Sequence, residues 1–311
     1  MKTKVKLFSL AVLSGILISG CSFEEKNVGA EKNESSSQGE IETIPDEDAL
    51  NGLKTAKAEV ERIGVSALIN AESDVRSVSS SDNALIGWGL GRDKDELDRP
   101  TDAVRAQKKY GDYSALFVDT SEKKRIFLTF DEGYENGYTD KILDTLKEKG
   151  VKATFFVTYD YCVSSPDLVE RMIAEGHTVG NHSYTHPSFP SCSYEETEKE
   201  VMTLHNYVKE NFNYEMKFFR FPMGEFSERT LMQLNSMGYT SVFWSFAYMD
   251  WDPNSQPEPS EAFETVTNSA HSGAIYLLHA VSETNADGLG DFIDKWREDG
   301  YEIADINLLK A

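Results

Sequence analysis

From residue 125 onward, short runs of β-branched and aromatic residues alternate with helical patterns, and this rhythm narrows the fold more than any other feature. The runs fall at 125–130, 153–158, 177–180, 217–219, 241–244, 274–278 and 301–306. Between them, apolar residues recur at helical spacing in 137–149, 166–175, 194–211, 227–237, 260–269 and 287–298. Continuous apolar runs suit strands buried on both faces, and a strand–helix–strand order brings successive strands back parallel. The expectation is an α/β chain with a seven-stranded parallel sheet, open or closed into a barrel. Its short crossovers favour a compact barrel.

The residues just past each run carry the chemistry. The first run ends in Asp131-Glu132-Gly133, the third in Asn181-His182 with His186 four residues on, and the fourth in Arg220-Phe221-Pro222. The fifth leads to Asp250-Trp251, and the sixth ends in His279. Parallel α/β folds gather ligands and catalytic groups at the carboxyl ends of their strands. Each of these residues alone has a bland reading as a solvated turn, a capping group or half of a structural ion pair. Five strand ends that deliver two carboxylates, two imidazoles, an Arg, an Asp and a third imidazole to one face make a site. Two His beside a carboxylate suit a divalent first-row metal, Zn²⁺ foremost, as a Lewis acid. A neighbouring carboxylate not bound to metal is a general base, His279 can protonate a leaving amine, and Arg220 can keep the base ionised. The set equips a chain to hydrolyse an amide or ester. No Ser nucleophile elbow, P-loop or dinucleotide-binding glycine pattern competes with it.

The N-terminus locates the chemistry. Lys2, Lys4 and Lys6 precede a short apolar run that closes on Ile18-Ser19-Gly20-Cys21, so residues 1–20 read as a signal peptide rather than a membrane span. Leu17-Ile18-Ser19-Gly20-Cys21 resembles the lipobox of bacterial lipoproteins, which implies acylation of Cys21 and an extracytoplasmic, membrane-anchored protein. Residues 21–48 are polar and acidic, as expected of a disordered tether. Residues 49–83 hold an amphipathic helical segment and a Ser-rich linker, and 84–122 extend the catalytic domain of 123–311 at its N-terminal side. The other two cysteines, Cys162 and Cys192, are as readily free thiols as a disulfide. With 40% hydrophobic residues the chain fills a sizeable core, while a net charge of −22 speaks against nucleic acid as a partner. A monomer is expected.

Five motifs carry a resemblance. Thr129-Phe130-Asp131-Glu132-Gly133, His182-Ser183-Tyr184-Thr185-His186, Arg220-Phe221-Pro222-Met223-Gly224, Asp250-Trp251 and Leu277-Leu278-His279 resemble, in order and spacing, those of NodB-homology polysaccharide deacetylases. The resemblance implies an incomplete seven-stranded (β/α) barrel. It makes Asp131 the base, Arg220 its orienter, Asp250 the tether of that Arg, and His279 the acid. It assigns Glu132, His182 and His186 to the metal, although Glu132 stands where the family usually has Asp. The turn at Pro222 and Met223 is expected to bind substrate, with the Met223 amide as an oxyanion donor, and Trp251 and Leu277 to wall the acetyl-methyl pocket.

A narrower similarity covers Trp88-Gly89-Leu90, Tyr134-Glu135-Asn136-Gly137, Val242-Phe243-Trp244-Ser245 and His279-Ala280-Val281-Ser282. These resemble the peptidoglycan N-acetylmuramic acid deacetylases that lead to muramic δ-lactam in spore cortex, in which a nonstandard second acidic residue is usual. Two rivals stand beside that reading. One is a peptidoglycan N-acetylglucosamine deacetylase. The other is a lipid-anchored glycan-binding protein that has lost turnover.

Overall fold

The computed structural model describes residues 82–309. The signal peptide, Cys21, the tether and the amphipathic segment of 49–76 lie outside the described residues. Strand β1 is Ile86–Gly87, followed by helix α1 at Thr101–Tyr110 and β2 at Ala115–Leu116. Then come β3 (Arg125–Glu132), α2 (Thr139–Lys149), β4 (Thr154–Val157), α3 (Tyr159–Ser164) and α4 (Pro166–Ala174). The middle of the chain forms β5 (Thr178–Asn181), α5 (Tyr194–Phe212), β6 (Phe218–Phe219), β7 (Glu225–Phe226) and α6 (Glu228–Ser236). It closes with β8 (Thr240–Val242), β9 (Phe246–Ala247), α7 (Pro259–Asn268), β10 (Ala274–His279), α8 (Glu283–Glu298) and β11 (Glu302–Ala304).

The main sheet runs β2-β8-β6-β5-β4-β3-β10-β9, with β11 also on β3, and all its pairings are parallel. Its two ends do not pair, so the expected incomplete barrel is what forms. Among the described residues the sheet has nine strands rather than seven. The two additions, β2 and β9, are two residues long, too short to leave a pattern in sequence. The run at 241–244 accordingly divides, part in β8 and part in the approach to β9. Strand β2 belongs to the 84–122 extension and is pinned by Gln107 of α1, whose amide donates to the Ala115 carbonyl at 3.0 Å and accepts from the Phe117 amide at 2.7 Å.

Strand β3 lies between β10 on one edge and β4 with β11 on the other, and is buried from Ile126 to Glu132. Its period of two sorts the core. Phe127 joins Leu116, Phe156, Phe218, Val242 and Ile275 in the apolar cluster inside the barrel. Ile126, Leu128 and Phe130 join Phe155, Val179, Tyr276 and Leu278 in the larger cluster between sheet and helices. Gly180 of β5 pairs with Phe156 on the adjacent β4, and a Cβ there would stand 2.5 Å from the buried Phe156 ring, so a side chain at this position would force that ring to shift. Helix starts follow sequence chemistry: Ser227 and Thr230 form a reciprocal capping box at α6, as do Ser193 and Glu196 at α5. Cys162 and Cys192 are both free thiols, and burial pushes the Cys162 thiol up to about 12.

Candidate active site

The inward positions of β3 beyond Phe127 are Thr129 and Asp131, and those of β10 beyond Ile275 are Leu277 and His279. The register pairs Leu277 with Thr129 and His279 with Asp131, so base and acid candidates stand side by side at the strand ends. His182 follows β5, Arg220 follows β6 and Trp244 follows β8. A cavity of about 650 Å³ opens there, and its lining includes Asp131, His182, His186, Met223, Trp251, Leu277 and His279. Arg220 and Asp250 stand behind it, fully buried, and Pro222 is buried in the turn that carries Met223.

Arg220 Nη1 donates to Asp131 Oδ1 at 2.8 Å and to Thr129 Oγ1 at 2.7 Å. Its Nε and Nη2 donate to the carbonyls of Val242 and Phe243 at 3.0 and 3.2 Å, and the guanidinium lies 4.2 Å over the Phe156 ring. Burial alone would raise the Asp131 pKa, but Arg220, and behind it His182 and His279, outweigh that and hold it below the usual carboxylate value. A base ionised at neutral pH is the result.

Asp250 corrects an expectation. It does not tether Arg220. Its Oδ1 accepts from His279 Nδ1 at 2.7 Å, and its Oδ2 accepts from the His279 amide at 2.8 Å and from Asn285 Nδ2 at 2.6 Å. Arg220 is held instead by Thr129 and the two backbone carbonyls. With Nδ1 committed to Asp250, His279 Nε2 is the nitrogen left for the cavity. Burial disfavours the imidazolium, but the hydrogen bond and charge of Asp250, joined by Asp131, prevail and raise the His279 pKa above its ordinary value. Asn285, itself bonded by the Tyr248 hydroxyl, completes this chain.

The expected metal set comes together only in part. His182 Nδ1 donates to the Arg220 carbonyl at 2.9 Å, which leaves Nε2 for a ligand, and burial lowers its pKa to about 4 so the ring is neutral. His186 lies against it with ring centroids 4.9 Å apart, on a left-handed backbone whose amide donates to Ser183 Oγ at 2.9 Å. Glu132 is elsewhere. As the residue after Asp131 on β3 it takes the outward side of the strand, and it does not line the cavity. Its carboxyl is fully buried, with neither oxygen hydrogen-bonded. Burial first, then the charges of Glu135 and Asp131, push its pKa well above the usual carboxylate value. Among the described residues no three metal-ligating side chains converge. Two imidazoles are fewer than the three protein ligands usual at catalytic zinc, so the Glu132-His182-His186 set does not fit as placed.

Met223 has φ +58° and ψ 5°, in the left-handed region, and its amide donates to no acceptor among the described residues. That free N–H is what an oxyanion donor requires. Trp251 is 53% exposed at the rim, its ring centroid 6.0 Å from that of His279. Sequence reasoning missed Thr129, Asn285, Tyr248 and Met249 as members of the site. For Thr129 the signal was available, since two residues before Asp131 on a strand is the same face. For Asn285, 35 residues from its partner Asp250, there was none.

Comparison with known proteins identifies the family. The polysaccharide deacetylase family matches residues 118–242. The chain is 43% identical over 229 residues to an uncharacterized 30.6 kDa protein of Geobacillus stearothermophilus, covering 73% of this chain and 86% of that one. It is 39% identical over 229 residues to the peptidoglycan-N-acetylmuramic acid deacetylase PdaA of Bacillus subtilis, covering 73% of this chain and 86% of the other. The solved structure of Bacillus subtilis PdaA, a family 4 carbohydrate esterase, superposes with a TM-score of 0.70 at 38% identity, over 73% of this chain and 97% of that chain.

Proposed function

Because this chain belongs to the polysaccharide deacetylase family, we propose that it hydrolyses the N-acetyl group of N-acetylmuramic acid in peptidoglycan. The observation that carries the reading is the register match that sets Asp131, charged by Arg220, beside His279, charged by Asp250. A binding protein has no use for a base and an acid of opposite preferred charge at one cavity. The choice of muramic acid rests on the similarity to PdaA.

In the mechanism, Asp131 accepts a proton from the water whose oxygen bonds to the acetyl carbonyl carbon. Negative charge develops on the carbonyl oxygen and is met by the Met223 amide. His279 Nε2 then donates a proton to the amide nitrogen as the C–N bond breaks, so acetate and a free amine leave. Phe221, Leu277, Trp244 and Trp251 form an apolar wall for the acetyl methyl.

Deacetylases of this family are generally metal-dependent. In this chain a divalent ion, with Zn²⁺ best suited to imidazole, would have His182 and His186 as protein ligands and not Glu132, one short of the three usual at catalytic zinc. Metal content after dialysis measures this. His182→Ala is expected to lower bound metal at least about tenfold, the scale of a lost ligand, and Glu132→Gln to leave it within about twofold. Equal loss in both variants would restore Glu132 to the ligand set.

The lipobox-like sequence at Cys21 supports an enzyme anchored outside the membrane, where peptidoglycan lies. Acetate release by the full chain is the direct test of substrate. Glycan strands freed of stem peptides, intact peptidoglycan and chitin oligosaccharides are compared, with the products analysed by mass spectrometry. Loss of acetyl from muramic acid residues is the expected outcome. Acetate only from glucosamine residues would transfer the assignment to that sugar, and glycan binding without any acetate would make the protein a binder.

A further inference from the structure

Met223 lines the cavity and has a left-handed backbone, which a non-glycine residue adopts at a cost of about 1–3 kcal/mol and keeps only when its surroundings enforce it. The enforcement comes from far away in sequence. Strand β1 pairs antiparallel with β7, Gly87 opposite Glu225, and the next residue, Trp88, donates its backbone amide to the Gly224 carbonyl at 2.9 Å. The Trp88 indole Nε1 donates to the Trp244 carbonyl at 3.0 Å. Its ring meets Phe117 edge-on at 4.7 Å, and Phe117 stacks on Phe243 at 4.2 Å. Gly224 is therefore enclosed: a Cβ added there would lie 2.8 Å from the Trp244 ring and 3.2 Å from Trp88 Cβ. The Pro222–Gly224 turn has a wall on each side and a hydrogen bond at its exit.

We propose that Trp88 is a positioning residue for the deacetylation: it clamps the 222–224 turn so that the strained Met223 N–H faces the developing oxyanion. The clamp itself is independent of substrate, and its catalytic consequence rests on the function proposed above. The 84–90 segment is thus part of the catalytic machinery although it brings no reacting group. Removing an oxyanion donor outright slows catalysis by about 10²–10³, and displacing one costs part of that.

The test uses the full chain labelled with ¹⁵N-methionine, the Met223 amide signal being assigned by its loss in Met223→Leu. Trp88→Phe keeps an aromatic ring and removes the Nε1 donor. It is expected to shift or broaden the Met223 signal and to lower kcat per folded molecule about tenfold, with KM within about twofold. A purely structural Trp88 would lower the melting temperature and the folded fraction and leave kcat per folded molecule unchanged. If Phe prevents folding, an indole-to-benzothiophene isostere at position 88 removes the N–H alone and gives the same readouts. Either an unmoved Met223 signal or an unchanged kcat per folded molecule overturns the proposal. Should the parent chain release no acetate from any glycan, the proposed function fails, while the Met223 signal still decides whether the clamp exists.

Discussion

Asp131→Asn is expected to reduce acetate release by about 10²–10⁴, the range general-base catalysis supplies, and at the same time to destabilise the fold. The two effects share a cause. Arg220 is fully buried, and Asp131 Oδ1 at 2.8 Å is the carboxylate that balances its charge. Breaking a buried ion pair by neutralising one partner leaves an uncompensated charge and costs about 3–5 kcal/mol. Denaturant melts and initial rates on one preparation measure both. The double variant Asp131→Asn with Arg220→Met removes the stranded charge and is expected to regain part of the stability and none of the activity. The Val242 and Phe243 carbonyls left without their donor limit that recovery. A single variant that keeps full stability would mean that the pair does not balance the buried charge as its geometry indicates. One that keeps its rate would remove Asp131 from the role of base.

The pH profile of kcat/KM is expected to be a bell with a wide top, and Asp250→Asn is expected to move its alkaline side. Asp131 is held below the ordinary carboxylate value, so the base form is complete at neutral pH and is lost as pH falls through that depressed value. His279 is raised above 6.5, so the acid form persists through neutral pH and is lost as pH rises through the raised value. Both groups also stabilise the fold between those limits: Asp131 contributes above its unfolded value, and His279 below its own. Asp250→Asn deletes the charge and hydrogen bond that raise His279. The alkaline limb should then shift downward, and kcat at neutral pH should fall by about 10²-fold as the imidazolium becomes scarce and loses its orienting partner. An alkaline limb that stays in place would assign it to a group other than His279.

Much of this site was legible in the sequence. Short apolar runs, three to six residues long here, separated by helical periods specify parallel strands, and the residues just after each run lie at a carboxyl end. Asp131, His182, Arg220 and His279 are found from that alone. The exclusion of Glu132 was legible too. Asp131 and Glu132 are successive residues of one strand, and a strand sends successive side chains to opposite faces. Phe127, Thr129 and Asp131 form the inward series, which leaves Glu132 with Ile126, Leu128 and Phe130 on the helix side. Placing both carboxylates at one cavity, Asp131 as base and Glu132 as metal ligand, passed over that alternation.

Other features had no local signature. Nothing near Asp250 indicates that its carboxylate meets His279 rather than Arg220, because both cations arrive from other strands and the selection depends on the path of the loop between β9 and α7. Asn285 enters through the first turn of α8, and Trp88 through a two-residue strand more than a hundred residues before the turn it holds. Sequence by itself determined seven of the nine strands of the main sheet, their parallel direction and the reactive residues at their ends, because those depend on periodicity within a few residues. Tertiary structure alone decided which charged groups pair, which carboxylate is stranded in the core and what keeps Met223 strained. These depend on distances between segments remote in sequence, which no local pattern encodes.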